Sequence, residues 1–158
     1  MAVQGFVIGL GARCTMCPAF SEEIDRFLDV YHVMSFSTVL DKQPWAASLF
    51  YAFDARTRQL VYFTDEATRH GRASLANHRV AATIAPQERD VSKISGLQIS
   101  GTTVLLAEDD AEKARTVFAD RFPGIPTNLA PIWALRPLYI KMVDNARGFG
   151  HKQEWTAS

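Results

Sequence analysis

Cysteine is scarce in this chain, two in 158 residues, and two thiols build no disulfide framework, so an apolar core has to hold the fold. No apolar run approaches the roughly 18 to 20 residues of a membrane-spanning helix. Neither sign of charge is in excess: 17 Lys and Arg stand against 17 Asp and Glu. That balance excludes a protein whose affinity comes from neutralising many nucleic-acid phosphates, so any anion site must be local. Histidines number only four, and no spacing of His with carboxylates matches a metal-ligand set, so no metal is expected. The stretch Val3 to Ala12 is apolar, but no basic residue precedes it and Arg13 occupies the place of a small cleavage-site residue. A secretory leader is not the expectation, and a cytoplasmic, non-membrane protein is.

What the chain does have is 47% hydrophobic and 22% charged residues, enough to bury one sizeable core and too apolar for disorder. Residues 1–20 carry no usable periodicity and read as a flexible tail; the Cys14-Thr-Met-Cys17 pair within them lacks the flanking strand and helix of a redox motif. Residues 21–158 read as a single domain. Ser21 followed by Glu22 and Glu23, with Ile24, Phe27, Leu28 and Tyr31 at helical spacing, predicts a short amphipathic helix ending near Tyr31. Six runs rich in β-branched and aromatic residues follow, at 33–40, 45–53, 60–64, 80–85, 96–106 and 132–143. Asp54 to Gln59 reads as a hairpin loop. Two more helices are predicted, Thr68 to Asn77 and Asp110 to Arg121, the latter capped by Asp109. Without a repeating strand-helix rhythm a doubly wound parallel sheet is disfavoured. The expected fold class is mainly β with accessory helices, a six-stranded antiparallel split β-barrel.

The segment from Val61 to Arg79 concentrates the chemistry. A strand ends at Thr64 and a helix opens near Thr68 with Arg69, His70 and Arg72 in its first turns. Cations there oppose the helix dipole at about 0.3–1 kcal/mol each. Free N–H groups at that end, the Thr64 hydroxyl and the Arg69 guanidinium together would hold a phosphate. The competing reading is a solvated basic helix whose charges meet Asp65 and Glu66.

Tyr62-Phe63-Thr64, then Thr68-Arg-His-Gly-Arg72, then Leu75-Ala-Asn-His-Arg-Val-Ala81 entering a strand resemble the pyridoxamine 5'-phosphate oxidase-like superfamily of flavin-binding split barrels. The similarity runs from about Val33 to Gly101 and more loosely to the end, and Asp144-Asn-Ala-Arg-Gly-Phe-Gly-His-Lys-Gln-Glu-Trp155 resembles a small bacterial branch of it. The resemblance implies flavin mononucleotide (FMN) as cofactor, its phosphate held by Arg69 and His70 with Thr64, and its ribityl chain lined by Phe63 and Thr64. It puts the strand Ala46 to Tyr51 beneath the ring, with Ala47 and Ser48 contributing, and makes Gln98 and Trp155 candidates for contacts across a homodimer interface. In the oxidase itself that strand starts with an arginine and ends with a lysine; here Ala46 and Tyr51 stand there, so oxidation of vitamin B6 is not expected. The implied activity is an oxidoreductase moving electrons between a reduced nicotinamide and a small-molecule substrate, with no catalytic side chain nominated, because the cofactor carries the redox chemistry. The alternative is a split-barrel module with a degenerate flavin pocket, either non-catalytic or binding haem as some split barrels do, for which His151 is the candidate axial ligand.

Overall fold

The structure, a computed structural model, describes residues 18–128 and 130–157. Its first element is the helix α1 (Glu22–Val30), and the Ser21 hydroxyl caps it by accepting from the Ile24 N–H at 3.3 Å. Strands β1 (Val33–Leu40) and β2 (Gln43–Phe50) form a hairpin, and the short β3 (Ala52–Asp54) forms another with β4 (Gln59–Phe63). Helix α2 (Arg69–Ala76), β5 (Arg79–Ile84) and β6 (Ser95–Leu105) follow. Helix α3 (Glu108–Arg121), β7 (Ile132–Asp144) and β8 (Lys152–Thr156) complete the described chain.

All described pairings are antiparallel, in the order β2-β1-β5-β6-β7-β4-β3, with β8 also on β7. The two ends of that order are β2 and β3, which are consecutive in the chain with only Tyr51 between them. A sheet whose two edges are the same stretch of backbone must curl round on itself. β7 marks the split: along one edge its first part pairs β4 at Ile132 to Leu135, and its second part pairs β8 at Tyr139 to Val143. On the other edge β6 follows β7 along its length, with a bulge at Ser100/Gly101. Gly101 is required there, because a Cβ would come within 2.3 Å of the Arg136 carbonyl oxygen.

Alternation along the strands sends Phe36, Tyr62, Ile99, Trp133 and Leu135 into the barrel, where α1 adds Ile24, Phe27 and Leu28. A second, smaller core lies outside the barrel: Val61, Ile132 and Ala134 meet Ala111, Ala114 and Phe118 of α3.

The mainly β, antiparallel split barrel with accessory helices is as the sequence predicts, and each of the six predicted runs is strand. The described strands number eight, because the run 45–53 breaks at Tyr51 and β8 adds one. Tyr51 breaks it by donating its N–H to the His32 carbonyl at 3.0 Å and its buried hydroxyl to the Leu28 carbonyl at 3.1 Å. Asp109 is not a cap: α3 starts at Glu108, two residues before the predicted Asp110, and its N-cap Ala107 makes no side-chain capping bond. Of the expected tail, Cys14 and Cys17 lie outside the described residues, but Phe20 belongs to the core. Phe20 is buried with its ring edge-on to Trp155, and the Pro18 carbonyl accepts the Trp155 indole N–H at 2.8 Å. Among the described residues no helix is long and apolar enough to cross a membrane.

Candidate functional site

Where β4 hands over to α2, the backbone is fixed from two directions. Thr64 donates its N–H to the Pro131 carbonyl at 3.2 Å, and its own carbonyl accepts the indole N–H of buried Trp133 at 3.1 Å. The next four residues form a tight turn centred on Asp65, whose carboxylate accepts from the Ala67 N–H at 2.7 Å and whose carbonyl accepts the Thr68 hydroxyl at 2.8 Å. Thr68 then caps α2 by accepting from the Gly71 N–H at 3.0 Å. The turn presses so closely on the helix that a Cβ at residue 71 would lie 2.3 Å from the Asp65 carbonyl oxygen and 2.9 Å from Glu66 Cα. Glycine is the residue that fits.

With Gly71 N–H taken by the cap, the N–H groups of Arg69 and His70 have no acceptor among the described residues. Around them stand the Thr64 hydroxyl, the His70 ring and the Arg69 guanidinium. His70 Nε2 lies 2.6 Å from Thr64 Oγ1, which is also 3.3 Å from Thr68 Oγ1. Burial pulls the His70 pKa below the ordinary histidine value, so the ring is neutral at pH 7. Of the expected basic pair, one permanent cation is left. Arg69 is exposed, and its guanidinium carbon sits 4.3 Å from the centroid of the Trp45 ring on β2. Arg72 is committed elsewhere, donating to the Ala67 carbonyl. No ion pair joins Arg69, His70 or Arg72 to Asp65 or Glu66 among the described residues, so the solvated salt-bridged helix is not what forms.

This start of α2 can therefore receive an oxyanion: two backbone N–H donors, a guanidinium, and a hydroxyl at the positive end of a helix dipole. The other predicted site residues are distributed differently. Ser48 and Gln98 point outward in a single row across the sheet, Ser48, Ser35, Thr83, Gln98, Lys141 and Glu154. Three strand spacings separate Ser48 from Gln98, about 14 Å along the sheet. The next row, Ala46, Ser37, Ala81 and Ser100, holds only small side chains. Ala47 does not join them: it pairs with buried Phe36 and lies on the opposite, inner face of β2. The ring of Phe63 is taken up by α3, edge-on to Phe118 at 4.7 Å with Arg115 on its face, so a side-chain contact to a ribityl chain is not available there. Trp155 is likewise a core residue, its indole N–H spent on Pro18. His151 is exposed in the loop between β7 and β8. Sequence reasoning missed Trp45 as the seat of Arg69, and no linear signal connects residues 45 and 69.

The sequence pattern described as pyridoxamine 5'-phosphate oxidase matches residues 20–128 of this chain. The chain belongs to the pyridoxamine 5'-phosphate oxidase family. Within it, a UPF0306 protein of Yersinia pseudotuberculosis is 40% identical over 133 residues, covering 84% of this chain and 90% of that protein. Among solved structures, a heme binding protein from Mycobacterium smegmatis superposes with a TM-score of 0.67 at 17% identity, over 88% of this chain and 60% of that one. This chain thus spans well under two thirds of that protein's length. An FAD binding protein from Mycobacterium smegmatis superposes with a TM-score of 0.64 at 14% identity, covering 87% of this chain and 96% of that one.

Membership of the family gives the two departures a position. Tyr51, which the resemblance sets at the oxidase's lysine position, is fully buried and bonded to α1, so its side chain does not reach the outer sheet face. Ala46, at the arginine position, is exposed on that face and carries no charge to it.

Proposed function

We propose that this member of the family binds FMN and acts as a cytoplasmic oxidoreductase, passing electrons between a reduced nicotinamide and a small organic acceptor, and that it does not oxidise pyridoxamine 5'-phosphate. The observation that carries the reading is the start of α2, where the Thr64 hydroxyl meets the His70 ring, the N–H groups of Arg69 and His70 are open, and the exposed Arg69 guanidinium is seated on Trp45. Those residues would hold the phosphate. The small side chains Ala46, Ser37, Ala81 and Ser100 of one row, with Ser48 and Ser35 of the next, form a flat outer surface against which a planar ring can lie. When bound, the flavin supplies the electron-transfer chemistry. The missing cations at Ala46 and Tyr51 are the ground for excluding the oxidase's own substrate.

A homodimer with the cofactor between the chains is part of this reading. β2 is an eight-residue edge strand with exposed Trp45 and Phe50, and an uncovered edge of that length is ordinarily buried against another chain. A monomeric mass at working concentration would contradict it. The protein is expected to be yellow when purified, or to quench FMN fluorescence with a dissociation constant on the order of micromolar, about −8 kcal/mol. A colourless protein that does not titrate overturns the reading. The haem alternative draws on exposed His151 alone; it requires a Soret band after supply of haem that is lost in His151→Ala.

A further inference from the structure

A second anion-binding arrangement lies away from α2, between the β3–β4 hairpin, α3 and β7. Arg136 follows the barrel-facing Leu135 on β7 and so points to the outside, under α3, where its Nε–H is buried without a hydrogen-bond partner among the described residues. A buried donor of a permanent cation is costly to leave unmade, and native interiors rarely do so. Beside it is a cavity of about 80 Å³, lined also by Arg56 and Thr57 of the hairpin and by Lys113 of α3. That is several times the space one water needs. Two carboxylates line the same cavity, Asp54 and Asp110, against three cations. Asp54 is already occupied: its oxygens accept from the Arg56 N–H at 3.0 Å and the Thr57 hydroxyl at 2.9 Å, and its Oδ2 is paired with the Arg56 guanidinium at 3.5 Å, which leaves Arg136 and Lys113 against Asp110. Asp110 makes no ion pair or hydrogen bond among the described residues, and neither does Lys113.

We propose that this cavity is a binding site for free inorganic phosphate, gripped side-on by the Nε–H and one Nη–H of Arg136 and faced by Arg56 and Lys113. A guanidinium presents those two N–H groups in a fork that matches two oxygens of one oxyanion. Asp110 supplies the selectivity. A carboxylate in an anion site repels a fully ionised anion, but accepts a hydrogen bond from a P–OH group, which phosphate retains at neutral pH and sulfate does not have. The site uses none of the residues assigned to the flavin phosphate and does not depend on that reading.

The test is calorimetric titration of the full chain carrying Arg69→Ala, which removes the guanidinium at the start of α2, with inorganic phosphate and, separately, with sulfate. Expected are saturable phosphate binding, sulfate at least about tenfold weaker, and a loss of about tenfold or more in Arg136→Gln, in line with a charge-assisted bidentate pair. In the same background Asp110→Asn should abolish the preference over sulfate. No saturable binding in that background overturns the proposal, as does binding that survives Arg136→Gln added to it. If Arg136→Gln does not fold, Arg56→Gln and Lys113→Gln serve instead: each should weaken phosphate several-fold, and two unchanged affinities overturn the site.

Discussion

Substituting Gly71 by alanine sets two effects of opposite sign against each other. In an open helix interior the change is stabilising by about 1 kcal/mol, because alanine loses less backbone entropy than glycine. Here the new methyl carbon would stand 2.3 Å from the Asp65 carbonyl oxygen, 2.9 Å from Glu66 Cα and 3.0 Å from Thr68 Oγ1. Two of these three neighbours are backbone, held by the Thr64 to Trp133 and Asp65 to Ala67 hydrogen bonds, so they cannot turn aside as a side chain would. Overpacking of this kind costs roughly 1–3 kcal/mol, and loss of the Thr68 cap adds about 1 kcal/mol. The sum exceeds the propensity gain, and a net destabilisation of about 1–3 kcal/mol is expected. For a domain of this size that is a fall of roughly 2–12 °C in Tm. Urea unfolding of Gly71→Ala should give a lower midpoint with an unchanged m-value. Affinity for FMN should fall as well, because the same turn sets the open N–H groups. A variant more stable than the parent by about 1 kcal/mol would mean that the turn does not press on α2, and the argument for a shaped anion site would fail with it.

The remaining predictions concern the same end of the barrel. Burial lowers the His70 pKa in the folded chain, so the unfolded chain binds more protons as pH falls through about 6.5. The stability that neutral His70 allows is therefore present above that pH and is lost as pH drops through the folded-state pKa. In chemical denaturation at a series of pH values, His70→Asn should flatten the curve in that window, and an identical slope in both proteins would refute the assignment. Tyr62 and Thr103 share a buried 2.6 Å hydrogen bond. Tyr62→Phe should cost about 1–3 kcal/mol by stranding the Thr103 hydroxyl, whereas Tyr62→Phe with Thr103→Val should come close to neutral. Additive losses in that double-mutant cycle would show that the two hydroxyls do not interact.

Much of this fold is legible in the sequence because local chemistry and tertiary packing agree. Ser21, Glu22 and Glu23 announce α1, and the helix predicted over Thr68 to Asn77 is α2, those two residues being its caps. Alternation in 33–40 and 80–85 marks strands whose inward residues are those found buried. What was not legible depends on partners distant in sequence. Lys152 to Thr156 has little strand character of its own; it is extended because β7 offers an unpaired edge beyond β4. Phe20 looks like part of an aperiodic tail until Trp155, 135 positions away, is seen against it. At the site, the motif order around Thr64, Arg69 and His70 was readable. The neutral state of His70 and the seat of Arg69 on Trp45 were not, since both follow from burial and from a strand that pairs nowhere near α2 in sequence.

The central claim is that the start of α2 grips a phosphate ester, and it separates cleanly from ring stacking if FMN is compared with riboflavin, which has the same ring and no phosphate. In parallel fluorescence titrations the protein should prefer FMN, and Arg69→Ala should weaken FMN by about 1.5–3 kcal/mol while leaving riboflavin unchanged. Equal affinity for the two ligands, or an Arg69→Ala variant that binds FMN as tightly as the parent, would contradict the account.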